Sequence, residues 1–142
     1  MEQDLEQHFR DSGIRRTAQR YGILEYLSQN AVHATADEIF AALNDRFPLV
    51  SRATVYNTLR DLTRAGLVRE LPWEGKAARY DANLHQHHHF VCDTCGRVED
   101  VAWFDVPALP GDAAGPGREV RSYEVTIRGL CGGCNGSDGR LN

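Results

Sequence analysis

The stretch SRATVYNTLRDLTRAGLVRELPWEGKAARY, residues 51–80, carries two periodicities side by side. Up to Gly66 the apolar residues Val55, Leu59 and Leu62 recur at the spacing of one helical face. Ser51 stands where an N-cap belongs, and Gly66 stands where a helix ends in a left-handed residue. Beyond Gly66 the pattern shortens. Leu67 to Leu71 and Ala77 to Tyr80 read as two strands around a turn at Trp73-Glu74-Gly75-Lys76.

Upstream the chain reads as three more helices. Leu5 and Phe9 mark a short amphipathic start that ends near Gly13. Thr17 caps a second helix with Ile23, Leu24 and Leu27 on its inner face. Thr35-Ala-Asp-Glu38 is a capping box, because a threonine oxygen and a glutamate three residues on can each satisfy a free backbone N–H. It opens a third helix with Ile39, Phe40 and Leu43 expected inside, and Pro48 closes that region. Helices followed by a hairpin fit a winged helix-turn-helix, with the fourth helix entering the major groove. On that reading Arg52, Thr54, Tyr56, Asn57 and Arg60 face the groove, and Arg16 and Arg20 serve phosphates.

Charge neither demands nor excludes such a partner. The net charge is −4, yet residues 1–80 hold eleven basic and eleven acidic residues, so the deficit lies in residues 81–142. Arginine outnumbers lysine fifteen to one, and its planar fork suits phosphate and base edges. Taken alone, these arginines are better read as solvated helix faces. The acidic, polar start and the lack of a long apolar run point to a cytoplasmic protein without a membrane segment, with its thiols reduced.

The second half carries metal chemistry. Cys92 and Cys95, then Cys131 and Cys134, are two Cys-x-x-Cys pairs, and four thiolates in matched pairs suit a closed, tetrahedral structural Zn²⁺ site. Between the hinge candidate at 81–84 and the first pair lie His85, His87, His88 and His89. Alternation along a strand places His87 and His89 on one face and His88 on the other. His85 and His88 read as parts of a solvated polar turn. Asp81 and Asp100 flank the pair, and His33 precedes the third helix. Strands are expected from Phe90, over Arg97 to Val101, and over Val120 to Arg128. PALPGDAAGPG, residues 107–117, reads as loop, and the tail beyond the last cysteine as flexible.

RTAQR at 16–20, HATADEIF at 33–40, SRATVYNTLRDLTRAGLV at 51–68, HHHFVCDTCG at 87–96 and the final Cys-x-x-Cys fall in one order and spacing. In this the chain resembles the Fur family of metal-dependent repressors, over nearly its whole length. The resemblance implies an α+β protein. A winged helix-turn-helix domain would span 1–80, a hinge 81–84 and a small metal-binding αβ dimerisation domain 85–142. It implies a homodimer on palindromic double-stranded operator DNA. Within the family the pattern is most similar to the peroxide-sensing group, which implies Fe²⁺ or Mn²⁺ held by His33, Asp81, His87, His89 and Asp100. It also implies peroxide oxidation of a ligand imidazole, His33 or His87. Gln86 and Tyr123 stand where a further metal site of some members would need histidines. Ala18 replaces a customary proline, and 107–117 occupies the place of a dimerisation helix.

Two rival readings keep the same residues. An iron- or zinc-uptake regulator would share the DNA mode without peroxide sensing. A non-haem iron enzyme could use two histidines and a carboxylate, but the residues after the hinge are too few for its barrel and substrate cavity.

Overall fold

Ser51 opens the helix that organises the first half of the chain. Its side chain accepts from the Thr54 backbone N–H at 3.1 Å, and the helix Arg52–Arg64 follows. The helix stops at Gly66, whose φ is +73°. Leu67 N–H reaches back to Leu62 C=O at 3.0 Å and Gly66 N–H to Thr63 C=O at 3.1 Å, the paired bonds of a Schellman stop. The computed structural model describes residues 2–30, 33–46, 48, 50–73, 76–106, 110 and 112–138. The turn expected over Trp73 to Lys76 has its tip, 74–75, outside the described residues, as are 107–109 and 111 of the expected loop.

The described chain divides into two compact units, Met1–Leu84 and His85–Asn142. In the first, α1 is Glu2–Ser12, α2 Ala18–Asn30, α3 Ala36–Arg46 and α4 Arg52–Arg64. The three strands β1 (Ala34–Thr35), β2 (Arg69–Trp73) and β3 (Lys76–Asp81) form an antiparallel sheet in the order β1-β3-β2. Thr17 accepts from Arg20 N–H at 3.3 Å, so α2 starts in register although Ala18 lacks a proline's fixed φ. At α3 the capping box is reciprocal: Glu38 N–H to Thr35 Oγ1 is 3.2 Å and Thr35 N–H to Glu38 Oε2 is 2.9 Å. The core packs Leu5 and Phe9 of α1, Ile23, Leu24 and Leu27 of α2, Ile39 and Leu43 of α3, and Val55, Leu59 and Leu62 of α4. Each such side chain contributes roughly 1.5–3 kcal/mol on burial. Phe40, expected inside, is only half-buried, and its outer face carries the Arg52 guanidinium 4.8 Å from the ring centre.

The second unit has β4 (His88–Cys92), β5 (Val98–Val101), β6 (Thr126–Gly129) and α5 (Gly132–Asp138). β4 is central; it pairs antiparallel with β5 and parallel with β6. Between β5 and β6 the described residues include turns at 112–114 and 116–117, with Ala113 N–H to Pro110 C=O at 3.0 Å and Gly115 N–H to Asp112 C=O at 2.7 Å.

Three local expectations change. The strand expected from Val120 starts only at Thr126, because Val125 N–H is spent on the His88 ring, Nδ1 at 3.0 Å, rather than on a neighbouring strand. Beyond Cys134 the chain is helical through Asp138 rather than flexible, with Asn135 N–H bonded to Cys131 C=O at 2.8 Å, and 139–142 lie outside the described residues. His88 is not solvated but fully buried. Its Nδ1 accepts from Val125, so its Nε2 carries the proton and donates to Phe104 C=O at 2.8 Å. The ring stacks on Trp103 with centroids 4.5 Å apart.

Candidate metal centres

The parallel pairing of β4 with β6 builds the sulfur cluster. Parallel strands end on the same side, so the Cys-x-x-Cys after each strand arrives at one place. Cys92 is opposite Gly129, two residues before Cys131. The sulfurs of Cys92, Cys95, Cys131 and Cys134 all lie within 4.8 Å of one another. Cys95 Sγ and Cys131 Sγ are 3.8 Å apart. Four sulfurs at about 2.3 Å around a tetrahedral ion would be separated by about 3.8 Å, so the cluster has the size of such a site. Backbone donors reinforce it: Cys131 N–H points at Cys92 Sγ from 3.3 Å. Backbone N–H groups of Cys95 and Cys131 bring the Cys92 thiol down from 9.0 to about 6. The neighbouring sulfurs of Cys131 and Cys92 push Cys134 up from 9.0 to about 12. Four thiolates require a countercharge, which a bound cation would supply.

In the second unit a different donor set forms. His87 and His89 bring their Nε2 atoms to 3.0 Å of one another. Asp100 Oδ1 lies 3.2 Å from His87 Nε2 and 4.0 Å from His89 Nε2. Asp100 faces His89 across the β4–β5 ladder, which is why it reaches the pair. Two nitrogens at about 2.1 Å in cis positions of an octahedral ion are about 3.0 Å apart, so this spacing also fits a bound cation. His87 Nδ1 is 2.7 Å from His85 C=O, which turns its Nε2 lone pair toward the pair partner.

The first unit holds His33 and Asp81. Ala34 lies opposite Tyr80 in the β1–β3 ladder, so His33 and Asp81 come side by side. His33 Nε2 is 3.5 Å from Asp81 Oδ2, and both residues are buried. Asp81 Oδ1 accepts from Asn83 N–H at 2.7 Å, which directs Oδ2 toward His33. The Arg79 guanidinium holds His33 C=O at 2.6 Å, and Arg69 Nη2 stands 3.7 Å from Asp81 Oδ2.

Arg79 and Glu124 are not legible as site residues in the sequence, and Arg69 reads there only as one of a cluster of arginines. Arg69 and Arg79 lie on the hairpin strands at positions whose register with Asp81 and Thr35 only the fold sets. Glu124 Oε1 sits 3.2 Å from His89 Nδ1.

The candidate groove residues separate into two groups. Tyr56, Asn57 and Arg60 line an open depression of about 350 Å³ with Arg64 and Tyr80, and Tyr56 is 51% exposed. Arg16, Arg20 and Arg52 are engaged within the unit. Arg52 pairs with Asp37, Arg20 with Asp61 at 2.9 Å, and Arg16 with Glu6 and the Tyr21 ring. Thr54 Oγ1 bonds Ser51 Oγ at 2.9 Å.

A sulfur cluster and an imidazole–carboxylate set on so small a scaffold define a metal-binding protein, with donors of two chemical classes. The profile described as "Ferric uptake regulator family" matches residues 11–128, and the chain belongs to that family. Its members are metal-dependent transcriptional regulators, so the protein is a regulator and not an enzyme. It is 39% identical to the peroxide-responsive repressor PerR of Staphylococcus saprophyticus, covering 88% of this chain and 85% of that protein. Among solved structures, PerR from Streptococcus pyogenes, studied for peroxide sensing and gene regulation, is 35% identical, with a TM-score of 0.52 over 92% of this chain and 90% of that one. The Vibrio cholerae ferric uptake regulator, described with DNA-binding domains, is 29% identical, with a TM-score of 0.70 over 88% and 98%. Among the described residues no helix is long and apolar enough to cross a membrane.

Proposed function

We propose that this protein is a homodimeric repressor of palindromic operator DNA that is active when metal-loaded and is switched off by peroxide. The winged helix-turn-helix domain is residues 1–80, the hinge 81–84 and the dimerisation domain 85–142. α4 is the helix that enters the major groove, with Tyr56, Asn57 and Arg60 as its reading residues. Zn²⁺ on Cys92, Cys95, Cys131 and Cys134 is structural. Fe²⁺ or Mn²⁺ is regulatory, held by His33 and Asp81 together with His87, His89 and Asp100.

The observation that carries this reading is the geometry of the His87–His89–Asp100 set. Two Nε2 atoms and a carboxylate oxygen converge without a sulfur, which suits an exchangeable divalent cation. Linkage gives the switch. Ligands on both sides of the hinge allow one ion to favour a single arrangement of the two domains, and it shifts that equilibrium only by its differential affinity. Ferrous iron held there would supply the electrons that reduce peroxide. The chain supplies the oxidisable imidazoles, His33 and His87. An imidazole that has gained oxygen would be a weaker donor, so the domain arrangement that the ion favours would lose its support.

The test is operator binding with Fe²⁺, Mn²⁺ and Zn²⁺, before and after peroxide, with peptide mass spectrometry. The iron form should lose DNA binding and gain oxygen on the His33 peptide or on the His85–Cys92 peptide. The manganese form should keep both its DNA and its mass. Loss of DNA binding with unmodified histidines rejects peroxide sensing through a ligand. The fold match to a ferric uptake regulator supports a second reading, an iron- or zinc-uptake regulator. It predicts metal-dependent operator binding with no response to peroxide.

A further inference from the structure

We infer that Glu124 is a positioning residue that holds the His89 ring with Nε2 presented as the ligand atom. The inference rests on the reading of His87, His89 and Asp100 as a cation site. His89 is fully buried and has two edges. Its Nε2 edge faces His87 Nε2 at 3.0 Å and Asp100 Oδ1 at 4.0 Å. Its Nδ1 edge faces Glu124 Oε1 at 3.2 Å. A carboxylate beside Nδ1 favours a proton there, which leaves the lone pair on Nε2 and raises its donor strength. His87 is held in the same sense, its Nδ1 lying 2.7 Å from His85 C=O. The two ligand rings therefore differ at Nδ1: His87 is hydrogen-bonded to a neutral carbonyl, while His89 has an anion at ion-pair distance. The fold delivers Glu124 through the parallel ladder: His89 pairs with Thr126, and His89 N–H bonds Val125 C=O at 3.0 Å. Glu124 belongs to the strand-edge segment just before Thr126, so its distance from His89 in sequence hides the contact.

The anion has a second consequence. Nδ1–H beside a carboxylate makes His89 the more strongly donating of the two rings. Removing the charge while keeping an oxygen acceptor should then cost part of the affinity and none of the orientation. Glu124→Ala removes both, and Glu124→Gln removes the charge alone. The Glu124 side chain is 36% exposed, so neither variant empties a core position.

The experiment uses the full-length, zinc-loaded protein. Nitrogen-15 NMR of the histidine rings at mildly alkaline pH, before any second metal is added, reads the tautomer. Manganese titration then reads the affinity. In the wild type His89 should be the Nδ1–H tautomer. E124A should mix the tautomers and weaken Mn²⁺ binding by about tenfold or more. E124Q should restore the tautomer and recover most of the affinity. An Nε2–H tautomer in the wild type overturns the inference, as does an E124A protein with unchanged tautomer and affinity. Failure of wild-type protein to take up Mn²⁺ sinks the cation-site reading instead, and the NMR arm still decides the role of Glu124.

Discussion

Cys92 and Cys134 show how one cluster sets opposite demands on the same side-chain type. Backbone donors favour the thiolate at Cys92, lowered to about 6, while neighbouring sulfurs favour the thiol at Cys134, raised to about 12. Since backbone donors favour the thiolate at Cys92, zinc uptake at neutral pH should release fewer than four protons. Calorimetry in buffers of different ionisation heat measures the number. Since protons leave as zinc binds, affinity should fall as pH falls. Cys131→Ser should remove zinc, read by elemental analysis, and lower stability by several kcal/mol, on the order expected for loss of a structural metal. Residue types alone made these four positions legible. They also made His87 and His89 legible as a pair, but not His88, whose burial among Trp103, Phe104 and Tyr123 depends on a segment distant in sequence. Arg20 is a further case. It is read from sequence as a phosphate contact, yet in the fold it clips α2 to α4 through Asp61.

The helices of the first unit follow from local signals because their caps are local. Thr17, Thr35 with Glu38, Ser51 and Gly66 each act within a few residues. Gly66→Ala tests this directly. No atom lies within 4 Å of the added Cβ, so the cost is the left-handed backbone alone, with φ at +73°. Unfolding in urea should show a loss of roughly 1–2 kcal/mol with an unchanged slope. On the outer face of α4, Asn57→Ala should weaken operator binding by roughly 1–3 kcal/mol at one base position. Its melting temperature should stay unchanged, since Asn57 is exposed. Strand limits were less legible. β6 is shorter than its sequence pattern, because a ladder needs a partner strand and β4 spans only His88–Cys92.

For the two units together, the proposed switch makes a demand that neither unit meets alone. His33→Ala and Asp100→Ala should each abolish uptake of the regulatory ion and metal-dependent operator binding. The four-sulfur zinc should remain at full stoichiometry in both. Elemental analysis paired with operator titration reads this. Retention of regulatory metal in either variant would mean that the donors on the two sides of the hinge do not share one ion.

Residue order and spacing were enough to give the capped helices, the hairpin, the two cysteine pairs and the shared strand face of His87 and His89. These depend on neighbours a few positions apart, where backbone geometry leaves little choice. The fold alone set the parallel register of β4 against β6, the burial of His88, the engagement of Arg20 and Arg52, and the approach of Glu124 to His89. Each of these joins residues from separate elements. Such contacts are fixed by which strand edges and core faces can be satisfied at once, a condition that no short window of sequence contains.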